Sequence, residues 1–478
     1  MYDKPFRLHI SSIIEQSFKV FGIIIVVLVA NFFNLASDLA SGEIGFNEMM
    51  ISVLVLFVFI LLLVLFFYIR WRKTYIILLK DTLIIERNLL FKYKMTVGLK
   101  NIATVELEQN IFERFLDTAK VKIDTNSLST ANQTDLKIIL KKNLADQLRK
   151  KLLIYIDKAK YGSERTEKDV EAILEKESEA KFDVEYKFID VIKYTLLSIP
   201  LYSIACSIIS VIWALYVFCF ETSLVGDDYI ASIFAIILFI VPIIYSTLSK
   251  LFKLYNFKAR RIEDKLHIEY GLLTKKKYTI PFDKINAIIV KQPFFARLAK
   301  MYTVEIVNIG MGEEEKEVPV LLLMSTKKEM LEKMNMLLPE IYINQEGTKQ
   351  PRKAIIPISI GVAIYSIIAS LCICAFAPII SYLGILGFAI IAIILGYYTK
   401  YLAYNDNFVY VTNGVFQKKT VIIKYEKMQK YALKSNFVTK KLHLNKACIN
   451  VLASTANVEH STGYFDENIF EEINKKFN

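Results

Sequence analysis

One block of sequence occurs three times in this chain, and no other feature constrains the fold as strongly. Residues Gly271 to Val304 (GLLTKKKYTIPFDKINAIIVKQPFFARLAKMYTV) align without a gap with Asn88 to Val121 and with Gly414 to Ala447. Self-similarity that keeps its phase through such a block indicates a repeated structural unit. The sequence therefore predicts three related modules on one chain.

Each copy of the block begins at a turn and continues as short strands. Gly271 and Gly414 hold the turn position in two copies and Asn88 in the first, and these residues tolerate a left-handed backbone at the least cost. The β-branched runs that follow are broken by turn residues, which predicts antiparallel strands. An amphipathic segment then follows an N-cap residue in each copy: Asn143, Ser325 and Asp466. We expect three β-rich domains, each closed by one C-terminal helix.

Apolar segments of the chain are long enough to suit a bilayer. Hydrophobic residues make up 54% of the sequence, which is too apolar for an ordinary soluble protein. Each of six runs can cross a hydrocarbon core of about 30 Å: residues 20–36, 50–69, 194–218, 229–249, 355–376 and 379–399. They predict an integral membrane α-helical part of six transmembrane helices, arranged as three hairpins.

The basic residues predict how these hairpins are oriented. No Lys or Arg lies within residues 20–69, 194–249 or 354–399, whereas basic residues flank the outer ends of all three hairpins. Because positive charge is retained on the cytoplasmic side, we expect both termini and all three modules in the cytoplasm, beneath the plasma membrane of a Gram-positive-like cell. Residues 7–21 resemble an amphipathic helix that leads into the first hairpin.

These patterns divide the chain into seven segments. They are the amphipathic N-terminus with the first hairpin (1–70), module one (71–160), a charged linker (161–187), the second hairpin (188–250), module two (251–343), a linker with the third hairpin (344–400) and module three (401–478).

The hairpin and block together resemble a known family. The pattern G-[LV]-[LF]-x3-4-K, a later K/N-[IM] step and then Q-x-x-[FL]-x-R is similar to that of the bacterial pleckstrin-homology-like (PH-like, type 2) multipass membrane proteins with three PH-like domains. The resemblance implies a split barrel or sandwich capped by a helix. Copy one departs from the pattern at Asn88 and Asn110, and copy three at Ser435 and Lys440. The matching residues of copy two are Gly271, Leu272, Leu273, Lys277, Asp283, Lys284, Ile285, Gln292 and Arg297.

The sequence carries no signal of an enzyme, so we expect no catalytic residue, cofactor or metal. The four histidines lie far apart without a carboxylate or cysteine pattern, and the five cysteines do not have metal-ligand spacing. Nucleic acid is disfavoured as a partner because the lysines are not interleaved with stacking aromatics. A channel or transporter is also disfavoured, because the apolar runs lack ionisable residues at mid-membrane depth. Small residues at helix contacts explain the serines of these runs: Ser203, Ser207, Ser210, Ser366 and Ser370.

Positive charge is the remaining functional signal. The chain carries a net charge of +12, concentrated in copies two and three of the block. On modules tethered to a membrane, such residues can contact the anionic inner leaflet at about 1 kcal/mol each. The alternative interpretation is a solvated face. The predicted lipid-binding or partner-binding residues are Lys275, Lys276, Lys277, Arg297, Lys418, Lys419, Lys424, Lys427, Lys430, Lys434, Lys440 and Lys441.

We therefore expect a non-enzymatic membrane scaffold whose PH-like domains engage anionic lipid or a partner membrane protein. The resemblance implies a smaller PH-like membrane protein as one such partner. It also implies an alternative function in immunity to, or export of, membrane-active bacteriocin peptides. In that case a peptide ligand would first meet the acidic external turns near Glu43 and Asp227.

Overall fold

A computed structural model describes residues 5–15, 17, 22, 46–79, 81–89, 91–125, 136–161, 181–220, 227–308, 319–341, 347–373, 379–453 and 456–477. The chain forms two compact units. Unit 1 is Met1–Thr125 with Asp135–Ala180, and unit 2 is Asn126–Thr134 with Lys181–Asn478. Apart from Gly22, the predicted run at 20–36 lies outside the described residues, as do the turn at Glu43 and most of the charged linker.

Unit 1 contains module one and the apolar helix before it. Besides the helical residues that begin at Ser12, its described part contains α1 (Phe46–Arg72), α2 (Ile111–Phe115) and α3 (Lys142–Tyr161). Its strands are β1 (Thr74–Leu78), β2 (Thr82–Asn88), β3 (Lys92–Gly98), β4 (Ile102–Gln109), β5 (Thr118–Thr125) and β6 (Leu136–Lys141). The sheet β1–β2–β3 and the strands β4–β5–β6 are antiparallel. Leu148 and Leu152 of α3 are fully buried against them, as the predicted closing helix requires.

The N-terminal segment of unit 1 differs from the predicted amphipathic helix. Phe6 is extended and exchanges backbone hydrogen bonds with Ile76 of β1, at 2.9 and 2.8 Å. Helical residues begin only at Ser12. The start of the segment therefore adds to a sheet edge, whose unpaired backbone groups offer more hydrogen bonds than a helix end does.

A buried ion cluster fixes this segment to module one. The ammonium of Lys120 on β5 contacts the carboxylate of Glu15 and lies 3.8 Å from that of Glu113. Burial raises the pKa of Glu113. Burial also opposes the charge of Lys120, but Glu108, Glu15 and Glu113 outweigh it and raise the pKa of Lys120. The cluster was not predicted, because these residues are far apart in sequence.

Unit 2 contains modules two and three. Module two and the helices before it comprise β7 (Val184–Glu185), α4 (Phe188–Leu197), α5 (Leu201–Phe220), α6 (Asp227–Lys253), β8 (Lys258–Ile262), β9 (Lys265–Tyr270), β10 (Lys275–Pro281), β11 (Ile285–Gln292), α7 (Phe294–Leu298), β12 (Met301–Asn308), β13 (Val320–Thr326) and α8 (Lys327–Leu337). Module three and its helices comprise β14 (Thr348–Lys349), α9 (Ile355–Ile373), α10 (Ile379–Tyr398), β15 (Tyr401–Tyr404), β16 (Phe408–Asn413), β17 (Lys418–Lys424), β18 (Met428–Lys434), α11 (Phe437–Lys441), β19 (Leu444–Ala453), β20 (Ala456–Ser461), β21 (Phe465–Asp466) and α12 (Glu467–Phe477).

Modules two and three share one sheet. β11 of module two pairs antiparallel with β17 of module three, from Ala287 opposite Ile423 to Gln292 opposite Lys418. The result is a seven-stranded sheet in the order β13-β12-β11-β17-β16-β15-β14. We call the β11–β17 pair the joint. The sequence boundaries at 251–343 and 401–478 did not include this shared sheet.

Both faces of the joint are buried, which explains its residues. Ile288 and Val290 of β11 pack in one core, whereas Ala287 and Ile289 pack in a second core with Val421. A strand that is buried on both faces has no solvent side and therefore loses the usual polar alternation. Leaving β11 unpaired would expose this apolar edge.

The C-terminal helices of the modules form as expected, but two of them start elsewhere than predicted. In module one α3 begins at Lys142, so that the predicted N-cap Asn143 lies inside the helix. In module two Ser325 is the penultimate residue of β13, and Thr326 is the N-cap of α8. The Thr326 hydroxyl accepts a hydrogen bond from Glu329 N, and the Glu329 carboxylate accepts one from Thr326 N at 3.0 Å. This capping box is stronger than a single serine cap.

The six predicted transmembrane helices are not all confirmed. Among the described residues, one helix, Arg352–Leu371, is long and apolar enough to cross a membrane. A second candidate is the pair Phe188–Leu197 and Leu201–Ile212, which is bent by 69°, and Tyr382–Tyr398 is a shorter apolar helix. The run at 194–218 is thus broken rather than continuous. Pro200 lies at the break, because proline lacks an amide hydrogen and disfavours helix in the residue before it.

Candidate membrane-facing site

The turns that open the repeated blocks lie at the ends of the apolar helices in unit 2. Gly271 and Gly414 have φ values of 113° and 128°. A Cβ at Gly271 would lie 1.9 Å from the carbonyl oxygen of Thr274. Gly271 N donates to Tyr255 O at 2.8 Å, just past the end of α6. Asn88 ends β2 and lies opposite Lys92, and β2 pairs with β3 in the same register in which β9 pairs with β10.

The turn of module three reaches along an apolar helix. The rings of Phe416 and Phe388 stack with their centroids 5.1 Å apart, and Phe388 belongs to α10. At 1.5 Å per residue, Phe388 lies about 15 Å before Tyr398, the end of that helix. Phe294 of α7 also packs on Phe416, at 6.2 Å. The turn tip and the short helix of the preceding module therefore lie beside the flank of α10.

A short helix occurs at the same position of every copy and carries exposed apolar side chains. These helices are α2, α7 and α11, and each ends before a residue with a left-handed backbone: Asp117, Lys300 and His443. Sequence reasoning missed this element, although it overlaps the Q-x-x-[FL]-x-R segment of copies one and two and the matching residues of copy three. The apolar side chains that it exposes most are Phe112 (72%), Phe115 (90%), Leu298 (69%) and Phe437 (86%).

The short helix and the turn lie at the same end of a module. β17 starts at the turn, beside α10, and therefore runs away from the flank of that helix. β11 is antiparallel to β17 and so runs back toward it, and α7 follows β11. β18 holds in module three the place that β11 holds in module two. We therefore expect α11 at the level of the Phe416 turn.

Exposed lysines lie on α11 and along β18, the strand that precedes it. Lys430, Lys440 and Lys441 are exposed, and none of them forms an ion pair within the described part of the chain. Lys434 is exposed too, and its ammonium lies 3.0 Å from Glu459. Phe437 projects from the same short helix. An exposed aromatic ring beside several mobile cations suits the boundary of an anionic membrane, where rings enter the interface and ammonium groups meet headgroups.

Other predicted lysines are engaged at the joint. Lys418 and Lys419 are partly buried, and burial lowers the pKa of both. Lys427 donates from Nζ to Asp283 O at 2.6 Å, and Arg297 donates to Val415 O at 2.9 Å. Lys427 and Arg297 thus connect modules two and three, whereas Lys418 lies over the Tyr401 ring of its own module.

The remaining predicted cations lie on β10 and at the far end of β17. Lys275 and Lys277 are exposed, Lys276 is partly buried, and Lys277 pairs with Glu269 at 3.2 Å. Lys424 is exposed and lies 5.9 Å from the ring centroid of Phe408. The structure therefore does not gather the twelve predicted residues into one surface.

A cavity of about 220 Å³ lies at the joint, with Lys424 and Glu340 in its lining. Glu340 accepts two hydrogen bonds from the Arg261 guanidinium, at 2.9 and 2.5 Å. This contact lowers the pKa of Glu340. The other lining side chains are mainly apolar, among them Phe282, Ile422 and Phe408. Phe282 also packs under the Arg261 guanidinium.

Comparison with known proteins identifies the modules. The family profile for the bacterial PH domain matches residues 23–155, 191–330 and 355–474, which is most of the chain. This chain belongs to the bacterial PH domain family. A relative in Bacillus subtilis (strain 168), the UPF0699 transmembrane protein YdbT, is 24% identical over 410 residues, covering 81% of each chain. No solved structure matches the chain significantly.

The glutamine of the family pattern has a structural position in two of the three PH domains. Gln109 donates to Thr118 O at 2.7 Å, and Gln292 donates to Met301 O at 3.2 Å. Each bond spans the short helix and fixes the strand after it. Ser435 replaces this glutamine in the third domain and is exposed. In these two domains the glutamine of the family pattern therefore supports the short helix.

Gln350 connects the third PH domain to the end of α10 and was not predicted. Its amide nitrogen donates to Gly396 O at 3.3 Å and to Tyr397 O at 3.1 Å, and its oxygen accepts from Tyr464 N at 2.9 Å. The residue is 4% exposed. These bonds fix the orientation of the domain relative to its helix. A lone glutamine in a linker offers no sequence signal for this role.

The described residues offer no group of His, Cys, Asp or Glu side chains that could hold a metal ion. The serines of the apolar helices bond to their own helix. Ser207 donates to Ser203 O at 3.0 Å, and Ser370 donates to Ser366 O at 2.8 Å. Such bonds satisfy hydroxyl groups in apolar surroundings.

Proposed function

We propose that this protein is a non-enzymatic, multipass scaffold of the plasma membrane, and that its PH domains rest on the anionic inner leaflet. The contact consists of the short helices and the turn tips, with the third domain contributing most of the charge. Phe437 enters the interface, while Lys440 and Lys441 bind lipid headgroups. The lysines of the joint hold the second and third domains in one rigid arrangement above the membrane.

The stack of Phe416 on Phe388 carries this proposal. It sets one domain tip beside the flank of a long apolar helix, about 15 Å from the end of that helix by its rise per residue. Once α10 lies in a bilayer, a tip at that position lies at or below the headgroups. The exposed rings at the same end of the modules then gain an apolar environment instead of water.

Two further observations support a membrane location. Large apolar side chains of α1 and α9 are exposed along their lengths, for example Phe57 (65%) and Leu371 (67%). In water such surfaces would be costly, whereas lipid accommodates them. The relative in Bacillus subtilis is named as a transmembrane protein.

Charge gives this contact its preference for anionic lipid. Each lysine near a negatively charged leaflet contributes about 1 kcal/mol, and salt screens this attraction. Together, the exposed lysines on and before α11 therefore contribute several times the thermal energy to the free energy of membrane binding. Resistance to bacteriocin peptides and a smaller PH-like partner stay predictions from the resemblance.

Hydrogen exchange of the full chain in lipid nanodiscs tests the proposal. In nanodiscs that contain phosphatidylglycerol, we expect residues 437–443 to exchange more slowly than in nanodiscs of phosphatidylcholine alone, and high salt should remove the difference. The double variant K440Q/K441Q should lose it as well. The matched control is K475Q/K476Q on α12, which should keep the wild-type response.

The same exchange rate in both lipids, at low salt, would refute binding to anionic lipid. A lipid effect that both double variants lose equally would show a general charge effect and would refute the assignment to α11.

A further inference from the structure

Each of the two strands of the joint has an equivalent strand in an outer module. These equivalents, β18 and β3, each have one edge that pairs with no other strand among the described residues. β18 occupies in module three the block position that β11 occupies in module two. β18 pairs with β19, and within the described residues its other edge pairs with no strand. β3 occupies in module one the position of β17, and in the same described ranges it pairs with β2 alone.

We propose that β18 of one chain pairs with β3 of a second copy, and that this head-to-tail contact repeats the geometry of the joint. A chain that already uses this kind of strand pairing internally carries the equivalents of both strands, β18 and β3, at its ends. Pairing is antiparallel, as it is between β11 and β17. The proposal rests on the membrane anchoring proposed above, because anchoring brings the two edges to the same height.

The repeat fixes the register of this pairing. At the joint, Val290 lies opposite Thr420 and Lys291 opposite Lys419. Carried to the same block positions, this register sets Leu433 opposite Lys94, and Lys434 opposite Tyr93. The full set also pairs Lys430 with Val97, Tyr431 with Thr96, Ala432 with Met95, and Ser435 with Lys92.

Charge permits this register. Lysines on edge strands ordinarily prevent edge-to-edge pairing, and both β18 and β3 carry them. In the inferred register, however, no lysine lies directly opposite another lysine. Lys434 is already neutralised by Glu459 at 3.0 Å, and Lys94 by Glu86 at 3.1 Å. Like charges therefore do not oppose the contact as they would in a random register.

Membrane orientation selects β3 rather than a second β18. Two chains in one membrane share the same direction relative to its plane, so two β18 strands that meet side by side run parallel. In the repeat, β3 has the place of β17 and β18 that of β11, so a contact between β18 and β3 that repeats the joint is antiparallel. Because β18 and β3 are more exposed than β11 and β17, we expect a weaker and reversible contact.

The exposed aromatic side chains at the two edges fit the same contact. At the joint, Phe294 of the short helix packs on Phe416 of the following turn. At the outer edges, Phe437 is 86% exposed on the short helix, and Phe91 is 87% exposed immediately before β3. A second copy would bring the Phe437 ring close to the turn that contains Phe91.

Disulfide crosslinking between two tagged chains tests the inference. Cells coexpress one full-length chain with L433C and another, with a different tag, carrying K94C. After mild oxidation of membranes, we expect a heterodimer that shifts to the combined mass on a non-reducing gel and carries both tags. The matched control replaces K94C by Y93C, whose side chain points to the opposite face of β3, and it should lose the heterodimer. Each single variant alone and the wild-type chain report the background from native cysteines.

Absence of the L433C/K94C heterodimer, or an equal yield with Y93C, would overturn the inference. So would capture of L433C by a protein of another mass in place of the second chain, since a different polypeptide would then occupy β18. Alkaline extraction of the same membranes separates the two proposals. Chains that stay in the membrane without crosslinking contradict only the head-to-tail contact, whereas crosslinked chains that are released by alkali contradict only the membrane scaffold.

Discussion

At the scale of single residues, Gly414 shows how the repeat fixes local structure. Its φ of 128° lies in the region that disfavours side chains, and a Cβ there would lie 1.7 Å from Gln417 O. We expect G414A to lower the free energy of unfolding by about 2 kcal/mol or more, as strain and a backbone clash combine. Thermal unfolding of the full chain in detergent measures this loss. G361A is the control, since no atom lies within 4 Å of its added Cβ. Equal midpoints for the two variants would contradict the turn geometry.

His460 of β20 predicts a pH dependence at the same scale. Burial, followed by the charge of Lys419, lowers its pKa to about 4. The neutral form is therefore favoured in the folded protein, and its stabilising effect is complete above the unfolded pKa of about 6.5. As pH falls from 6.5 toward 4, protonation of the unfolded state removes about 2 kcal/mol by pH 5. Unfolding midpoints of module three at pH 7 and pH 5 should show this loss in the wild type and less of it in H460Q. An equal loss in both proteins would assign the effect to other groups.

The sequence predicted the structural roles of some residues and missed those of others. The turn glycines follow directly from the repeat, because only a few residue types tolerate that backbone. The pair of Glu15 with Lys120 and the three contacts of Gln350 did not follow, since each joins positions that are remote in sequence. The predicted lysines were right in type, but their positions divide between the joint and the surface around α11.

At the scale of elements, the joint couples two modules that the sequence presented as separate. Val421 of β17 is 2% exposed and lies opposite Ile289 of β11. A carboxylate at this position would be buried without a partner, at a cost of several kcal/mol. We expect V421D to raise the amide exchange of β11 in module two by at least about tenfold, which corresponds to about 1.4 kcal/mol.

The control for this prediction is E426Q, because Glu426 is exposed in the turn before β18. It should leave exchange in β11 unchanged. Faster exchange in V421D that stays within module three would refute the coupling.

Strands, turns and closing helices of the modules could be predicted from local pattern, because each depends on nearby residues. The joint could not, because strand pairing depends on a partner in the next repeat. A signal was nevertheless present in the run INAIIV at 285–290, which is apolar on both faces as in a central strand. Pro200 similarly marked the break between α4 and α5, which the hydropathy of the run concealed.

At the scale of the whole molecule, function depends on where the modules lie relative to lipid. The apolar runs predicted a membrane protein, and the family match accounts for the repeated domains. Net charge predicted an anionic partner but not the surface that would bind it. Lys418 and Lys419, for example, are partly buried at the joint. The exposed rings of the short helices were invisible to pattern analysis, because a five-residue helix has no clear period.

The central claim is that α11 lies in the membrane interface, and fluorescence at Phe437 tests it most directly. The full chain, reconstituted in anionic nanodiscs, carries the environment-sensitive dye NBD on F437C, and a second sample carries it on D406C. Asp406 is exposed in the turn between β15 and β16, at the opposite end of the module from the Phe416 turn. We predict blue-shifted emission and quenching by spin-labelled lipid at position 437, with neither at position 406. Emission at 437 that matches the water-exposed signal at 406 would contradict the account.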